Sequence, residues 1–336
     1  MQVKILPLGA ALCCASILGA QEFRNDGFKN GPLDACFASV KDVTLEKGVL
    51  TLPAGGLHQA TTLPFPAKGL ERFILSFRAQ VKGPHVIEEN PHYDKLFFFS
   101  EWHRGRQGQP LASWKIVFRG KDGKIVRSAA NFDQFFTAIM SNQMRTYCEE
   151  FYTPPETASI EVVFKNANKE DALLVENLKF MKAESTLTLN INPEFTLGKD
   201  NYSGWNTGRN YRIAENPDAP GKFCLRAGTA NADGNIRGDG IPVTPGENIR
   251  IEYKMKKTDG VAGNARLVIF TYKDNLLRDD CQTGQLSRVF GIGSKTAEGK
   301  YSFVVPEGIT VLRPYLENAT VEYLRFIKES PEAKSR

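Results

Sequence analysis

Histidine is scarce in this chain of 336 residues: there are four, and no two stand at the HxH or HExxH spacing of a metal site. There is no GxSxG elbow, no Walker loop, and no cysteine pair at redox or zinc spacing. These absences argue against the hydrolase, nucleotide-binding and metalloenzyme classes that such motifs mark. The formal net charge is +5 without a dense basic tract, so nucleic-acid binding is not suggested. Long amphipathic stretches are nearly missing as well. "NFDQFFTAIMSNQM" at 131–144 is the nearest to one, a weak helix candidate.

Beyond residue 20 no run is apolar enough to span a bilayer. Within the first twenty, Lys4 is followed by "ILPLGAALCCASILGA", with Ala20 before Gln21 as a plausible cleavage point. This reads as a secretory signal peptide over 1–20, too short for a membrane anchor. Cys13 and Cys14 lack the preceding small residues of a lipoprotein signal. The expectation is a secreted or periplasmic protein with no membrane span. Four cysteines then remain, Cys36, Cys148, Cys224 and Cys281. In an oxidising compartment Cys36–Cys148 and Cys224–Cys281 are the simplest pairings, and four separate buried thiols are the alternative.

What the chain does have is strand pattern. "RFILSFRA", "KLFFFSEW", "WKIVFRG", "SIEVVFKN", "LLVENLKF", "IRIEYKMK", "RLVIFTYK", "YSFVVP" and "TVEYLRFI" are short, rich in β-branched and aromatic residues, and bounded by Gly, Pro, Asn and Asp. Much of the pattern occurs twice. Phe118 matches Phe270, Lys121 matches Lys273, Asp122 matches Asp274, Pro154 matches Pro306 and Asn166 matches Asn318, all at one spacing. "VENLKF" at 175–180 returns as "VEYLRF" at 321–326. The chain therefore reads as all-β, a tandem duplication of antiparallel β-sandwich (jelly-roll) domains at 21–184 and 185–330 with a polar tail at 331–336. The first copy carries an inserted segment near 84–110, which holds His85, His92, Trp102 and His103.

The order of "FRGKDGK" or "FTYKDNL", a strand entering "TPP" or "VP", and a last strand V-E-x-L-x-F resembles jelly-roll carbohydrate-binding modules with a galactose-binding-like fold. "VTPGENIRIEYKMK" at 243–256 resembles the Pro-Gly turn before a central strand of that family. The resemblance implies non-catalytic binding of a polysaccharide or glycan, in a groove on one sheet or at loop tips. It also implies a structural calcium near the last strand, where this chain has Glu176 and Glu322 in place of the usual Asp.

Sugar binding needs flat rings beside amides, carboxylates or guanidinium groups. "NYSGWNTGRNY" at 201–211 has that mixture, making Tyr202, Trp205, Arg209 and Tyr211 candidate ligand contacts. In "TVLRPYLEN", period two turns Leu312, Pro314 and Leu316 to the core and Arg313 and Tyr315 outward, a second candidate platform. Trp102 in the insertion is a third. "GNIRGDG" at 234–240 reads as a turn. The alternatives are a structural or adhesive surface protein that binds other proteins, and a secreted carbohydrate-active enzyme with its site in the insertion. One feature stands apart: period two places Glu176 and Glu322 on the same face as Leu178, Phe180, Leu324 and Phe326. That is the core face, where an unpaired carboxylate is costly.

Overall fold

The computed structural model describes residues 33–83, 112–126, 136–139, 142–184, 186–198, 201, 203–205, 211–227, 235–273 and 282–329. The leader at 1–20, most of the insertion with Trp102, the tail at 331–336, and Tyr202, Arg209 and Cys281 lie outside the described residues.

The fold is all-β. A single helical turn, α1 (Leu33–Cys36), precedes β1 (Phe37–Lys41), β2 (Thr44–Glu46), β3 (Val49–Leu52), β4 (His58–Thr62), β5 (Phe65–Pro66), β6 (Arg72–Lys82), β7 (Ala112–Arg119), β8 (Phe136–Ala138), β9 (Arg145–Tyr152), β10 (Ser159–Asn166) and β11 (Ala172–Lys182). These strands form two antiparallel sheets, in the orders β1-β4-β10-β7-β8, with β5 also on β10, and β2-β3-β11-β6-β9. The chain switches repeatedly from one sheet to the other, as a jelly roll does.

The remaining strands are β12 (Tyr211–Glu215), β13 (Phe223–Ala227), β14 (Asn235–Arg237), β15 (Ile241–Pro242), β16 (Asn248–Lys257), β17 (Ala265–Tyr272), β18 (Gln282–Ile292), β19 (Ala297–Val304), β20 (Val311–Glu317) and β21 (Ala319–Lys328). Their sheets run β12-β13-β21-β16-β19 and β14-β20-β17-β18, with β15 also on β20. Strand for strand, most of this order repeats that of the first pair of sheets.

Alternation builds the cores. On β6 the side chains of Phe73, Leu75, Phe77, Ala79 and Val81 are buried and the intervening ones are not. They meet Trp114, Ile116 and Phe118 of β7 and Ile160, Val162 and Phe164 of β10 in one apolar cluster. Ile249, Ile251, Tyr253 and Met255 of β16 hold the same place in the second cluster. Each Val, Leu, Ile, Phe or Met side chain among them contributes about 1.5–3 kcal/mol on burial.

Three expectations need correction. Part of the weak helix candidate at 131–144 is a strand, since β8 pairs with β7 through Ser113↔Ala138 and Lys115↔Phe136. Its "FTA" is short and β-compatible, and the open edge of β7 supplies the ladder. "GNIRGDG" likewise contains β14, paired with β20 through Arg237↔Tyr315. The match of Phe118 with Phe270 slips by one residue. Phe118 faces Ile160 and is buried, whereas Leu312, which stands in the place of Ile160, faces Thr271. A one-residue slip exchanges faces, so Phe270 lies on the outer side of its sheet.

Cys36, Cys148 and Cys224 are thiols, which removes the expected Cys36–Cys148 bridge. Cys36 and Cys148 sit in elements of opposite sheets, with α1 leading into β1 and Cys148 within β9.

The carboxylates of the last strands are not in the core. Core positions run Leu173, Val175, then Leu178, Phe180 on β11, and Val321, then Leu324, Phe326 on β21. The parity changes because each strand carries a bulge against its neighbour, between Glu176 and Lys179 in one, and opposite Lys254/Met255 in the other. Asn177, at φ 54, makes the first bulge. The extra residue turns Glu176 and Glu322 away from the apolar face.

Candidate functional site

Trp205 and Tyr211 are tucked inward. Trp205 is 1% exposed and Tyr211 0% exposed, so neither ring is free to stack on a sugar. Trp205 packs on Phe195 at 6.0 Å between ring centroids. Tyr211 accepts a hydrogen bond from the Ala319 N–H at 3.1 Å, and burial pushes its phenol well above its ordinary pKa. Two glycines allow the approach. A Cβ on Gly204 would lie 2.7 Å from Ile191, and one on Gly238 would lie 2.5 Å from Pro314. Trp205 thus bridges to Gly238, and the Asp239 N–H donates to Gly204 O at 2.8 Å.

Residues 203–205 are buried because they lie where the two pairs of sheets meet. Ser203 is fully buried, accepts from the Glu150 N–H at 3.2 Å and donates to Cys148 O at 3.3 Å. Arg72 pairs with Glu150 and donates to Thr186 Oγ1 and Thr188 O. The Tyr152 hydroxyl donates to Leu189 O at 2.7 Å. The segment that follows β11 also pairs along β21, through the Leu189 N–H to Phe326 O and the Leu324 N–H to Pro193 O. A cleft at this junction, lined by Tyr152, Asn190, Trp205, Asp239 and Pro314 among others, has room for about one water molecule and not for a sugar.

A different constellation lies on the outer face of β14-β20-β17-β18. Alternate residues Tyr315 and Arg313 of β20, and Val268 and Phe270 of β17, turn away from the core formed by Leu312, Leu316, Leu267 and Ile269. Tyr315 and Phe270 meet edge to face at 5.6 Å, and both are half-buried. The exposed Arg237 of β14 places its guanidinium 5.9 Å from the Tyr315 ring. Arg313 is 3% exposed and supports the face from within, donating from Nε to Gly238 O at 2.9 Å. Burial pulls its guanidinium below the ordinary value, opposed by Tyr272 and Asp239. At one end of the face Arg266 pairs with Glu317 at 3.5 Å. At the other end Tyr272 and Val311 join the apolar cluster of the first pair of sheets, and the Phe270 ring packs against that cluster, which leaves Tyr315 as the ring of this face beside Arg237. Rings with a flanking guanidinium can hold the apolar face of a pyranose and bond its hydroxyls.

Of the described candidates read from sequence, only Tyr315 and Arg313 come together here, and Arg313 is enclosed. Phe270 and Arg237 were not anticipated. Phe270 was hidden by its match to a core residue, and Arg237 by the turn reading of its strand. Among the described residues no group of three His, Cys, Asp or Glu is placed to hold a metal ion. Glu176 Oε1 lies 2.6 Å from Arg78 and Glu322 Oε2 2.8 Å from Lys254, so a metal at either carboxylate would compete with a protein cation.

No protein-family model matches the chain, and no curated protein does. Solved structures similar to it include the N-terminal CBM22-1–CBM22-2 tandem domain of Paenibacillus barcinonensis Xyn10C, at 13% identity over 94% of this chain and 99% of that one, with a TM-score of 0.32. A CBM4 structure is similar over 48% of this chain and 95% of that one, at 10% identity and a TM-score of 0.28. The Arthrobacter globiformis T6 isomalto-dextranase in complex with panose is similar over 83% of this chain and 36% of that one, at 8% identity and a TM-score of 0.26. None of these fixes a function for this chain. No described helix is long and apolar enough to cross a membrane.

Proposed function

We propose that this chain is an exported, non-catalytic glycan-binding protein that takes a sugar on the outer face of β14-β20-β17-β18. The observation that carries this is the half-buried Tyr315 ring beside the exposed Arg237, on a sheet whose other face is core. Glu317, the carboxylate of β20 on that face, is engaged by Arg266, which supports binding rather than acid–base chemistry. The apolar leader at 1–20 supports export. The repeated strand order supports a tandem duplication, with domains at 21–184 and 185–330. Affinity at such a site is modest.

A polysaccharide pull-down and a glycan array with the full chain test the proposal. Tyr315→Ala with Arg237→Ala is expected to weaken retention at least tenfold while Trp205→Phe leaves it unchanged. Retention that survives the double variant would overturn the site, and an array without any bound glycan would overturn the function.

A further inference from the structure

In the second pair of sheets, the face opposite Tyr315 carries an unbalanced charge. Tyr211 and Ile213 of β12 and Leu225 and Ala227 of β13 point into the core. Arg212 and Arg226 therefore stand on the outer face of β12-β13-β21-β16-β19. The two arginines are directly opposite each other in the ladder. Side chains so placed start about 5 Å apart, and like charges there are destabilising. Arg226 is in turn opposite Thr320, and Thr320 is opposite Lys256.

Neighbouring cations of this face are answered by carboxylates. Arg250 meets Glu252 and Glu329, Lys254 meets Glu322, Arg325 meets Glu194 and Glu252, and Lys256 meets Asp218. Among the described residues, no carboxylate or other acceptor engages the guanidinium of Arg212 or Arg226. Arg212 is exposed and Arg226 half-buried, and no nitrogen of either is closed off from solvent. Thr320, beside them, is buried and shares its hydroxyl with Thr258 at 2.8 Å.

The fold itself does not need these charges, as the first pair of sheets demonstrates. Matching the two V-E-x-L-x-F strands puts Val175 with Val321, and so Leu50 with Leu225. The row equivalent to Arg212, Arg226, Thr320 and Lys256 is then Thr44, Thr51, Leu174 and Gln80. That row is neutral throughout.

We propose that Arg212 and Arg226 form a binding site for the anionic group of an acidic glycan, a sulfate ester or a uronate carboxylate. Each guanidinium presents a planar fork of donors, and two forks side by side hold one such group through several charge-assisted bonds. The bound anion also relieves the repulsion between the arginines. The site takes from the function above only that the ligand is a glycan. The core lies between it and the Tyr315 face, so the two share no residue.

Calorimetric titration of the full chain tests it, with dextran sulfate, oligogalacturonate and unmodified dextran as probes. The unaltered chain should bind an acidic probe with an affinity that falls as salt rises. Arg212→Thr with Arg226→Thr installs the residues found at the equivalent places in the first pair of sheets. It should weaken the acidic probe at least tenfold and leave the melting temperature no lower. Lys121→Gln with Lys169→Gln removes two exposed charges elsewhere and should change nothing. Binding of dextran sulfate alone assigns a sulfate ester, and binding of oligogalacturonate alone assigns a carboxylate. The site is overturned if neither acidic probe binds, if the folded threonine variant binds them unchanged, or if the lysine variant loses as much. Should the threonine variant unfold, Arg212→Gln with Arg226→Gln stands in for it. If phosphatidylserine vesicles bind where both acidic probes fail, the arginines face lipid and the glycan site is overturned. Tyr315→Ala with Arg237→Ala should leave acidic binding intact; its loss there would move the anion to the Tyr315 face and overturn this site. Loss of neutral glycan binding alone would count only against the Tyr315 face.

Discussion

Lys254 Nζ lies 2.8 Å from Glu322 Oε2, and Arg78 Nη1 stands in the same relation to Glu176 Oε1 at 2.6 Å. Both cations come from the long central strand beside the bulged one, β16 or β6. The bulge therefore exchanges a costly core carboxylate for a surface ion pair. Lys254 is raised above its ordinary pKa, chiefly by the hydrogen bond to Glu322.

Such a pair contributes little. With Lys254 about a third exposed, Glu322→Gln should cost under about 1 kcal/mol in urea denaturation. An unpaired carboxylate in the core would instead be relieved by the same change, which would raise stability. The pH dependence has a definite sign. Because the folded pKa of Lys254 is raised, the contribution is present below the unfolded value of about 10.4 and is lost as pH rises through the folded value. With both carboxylates engaged by protein cations, a chelator such as EGTA should leave the melting temperature unchanged. A fall of several degrees would return Glu176 and Glu322 to a metal.

Trp205 is predicted to matter for folding and not for binding. Its ring is fully enclosed against Phe195. Trp205→Ala should cost about 3–5 kcal/mol, lowering the melting temperature by roughly 10 °C. Trp205→Phe should recover much of that loss. Glycan retention per folded molecule should stay constant across the series, and a loss of retention without a loss of stability would reverse the assignment.

The contrast between Trp205 and Tyr315 shows what could be read from sequence. Strong period-two segments were legible: "SIEVVFKN" coincides with Ser159–Asn166, and the core faces of β6 and β16 follow directly from alternation. Strands such as Thr44–Glu46 and Ile241–Pro242 are too short to show a period. Tyr315 could be placed outward from alternation within its own strand. Phe270 could not, because its face depends on the register between two strands. Trp205 sits in a stretch of exposed composition and is itself buried where the two pairs of sheets meet. A bulge adds one residue and leaves no compositional trace, so Glu322 looked like a core residue.

Arg72 is predicted to couple the two pairs of sheets. It is 14% exposed at the side chain, its partner Glu150 10%, and the same guanidinium reaches Thr186 and Thr188 in the segment that leads to the second pair. Arg72→Ala leaves Glu150 buried without its cation, a loss of about 3–5 kcal/mol. Beyond the cost, the variant should separate the calorimetric transition into two and open the chain to proteolysis between 183 and 190. A single transition with an unchanged cleavage pattern would show that Ser203, Tyr152 and the apolar contact of Tyr272 hold the junction without it.

Cys224 offers a test of the edge of the second pair of sheets that needs no substitution. It is fully buried on β13, and burial first, with Arg226 opposing it, pushes its thiol up to about 11. The thiolate is the reactive form, so the folded protein should leave Cys224 unlabelled by maleimide at pH 7.5 for as long as it stays folded, and label it on unfolding in urea. The sign for stability follows from the raised pKa. The unfolded thiol begins to ionise near pH 8.5 while the folded one holds its proton, so stability is unaffected below that pH, falls as pH rises toward 11, and is level again above it. Mass spectrometry of labelled peptides reads the site directly. Rapid labelling of Cys224 under native conditions would mean that β12 and β13, its cover at the edge of the sheet, open locally far more often than the rest of the sandwich.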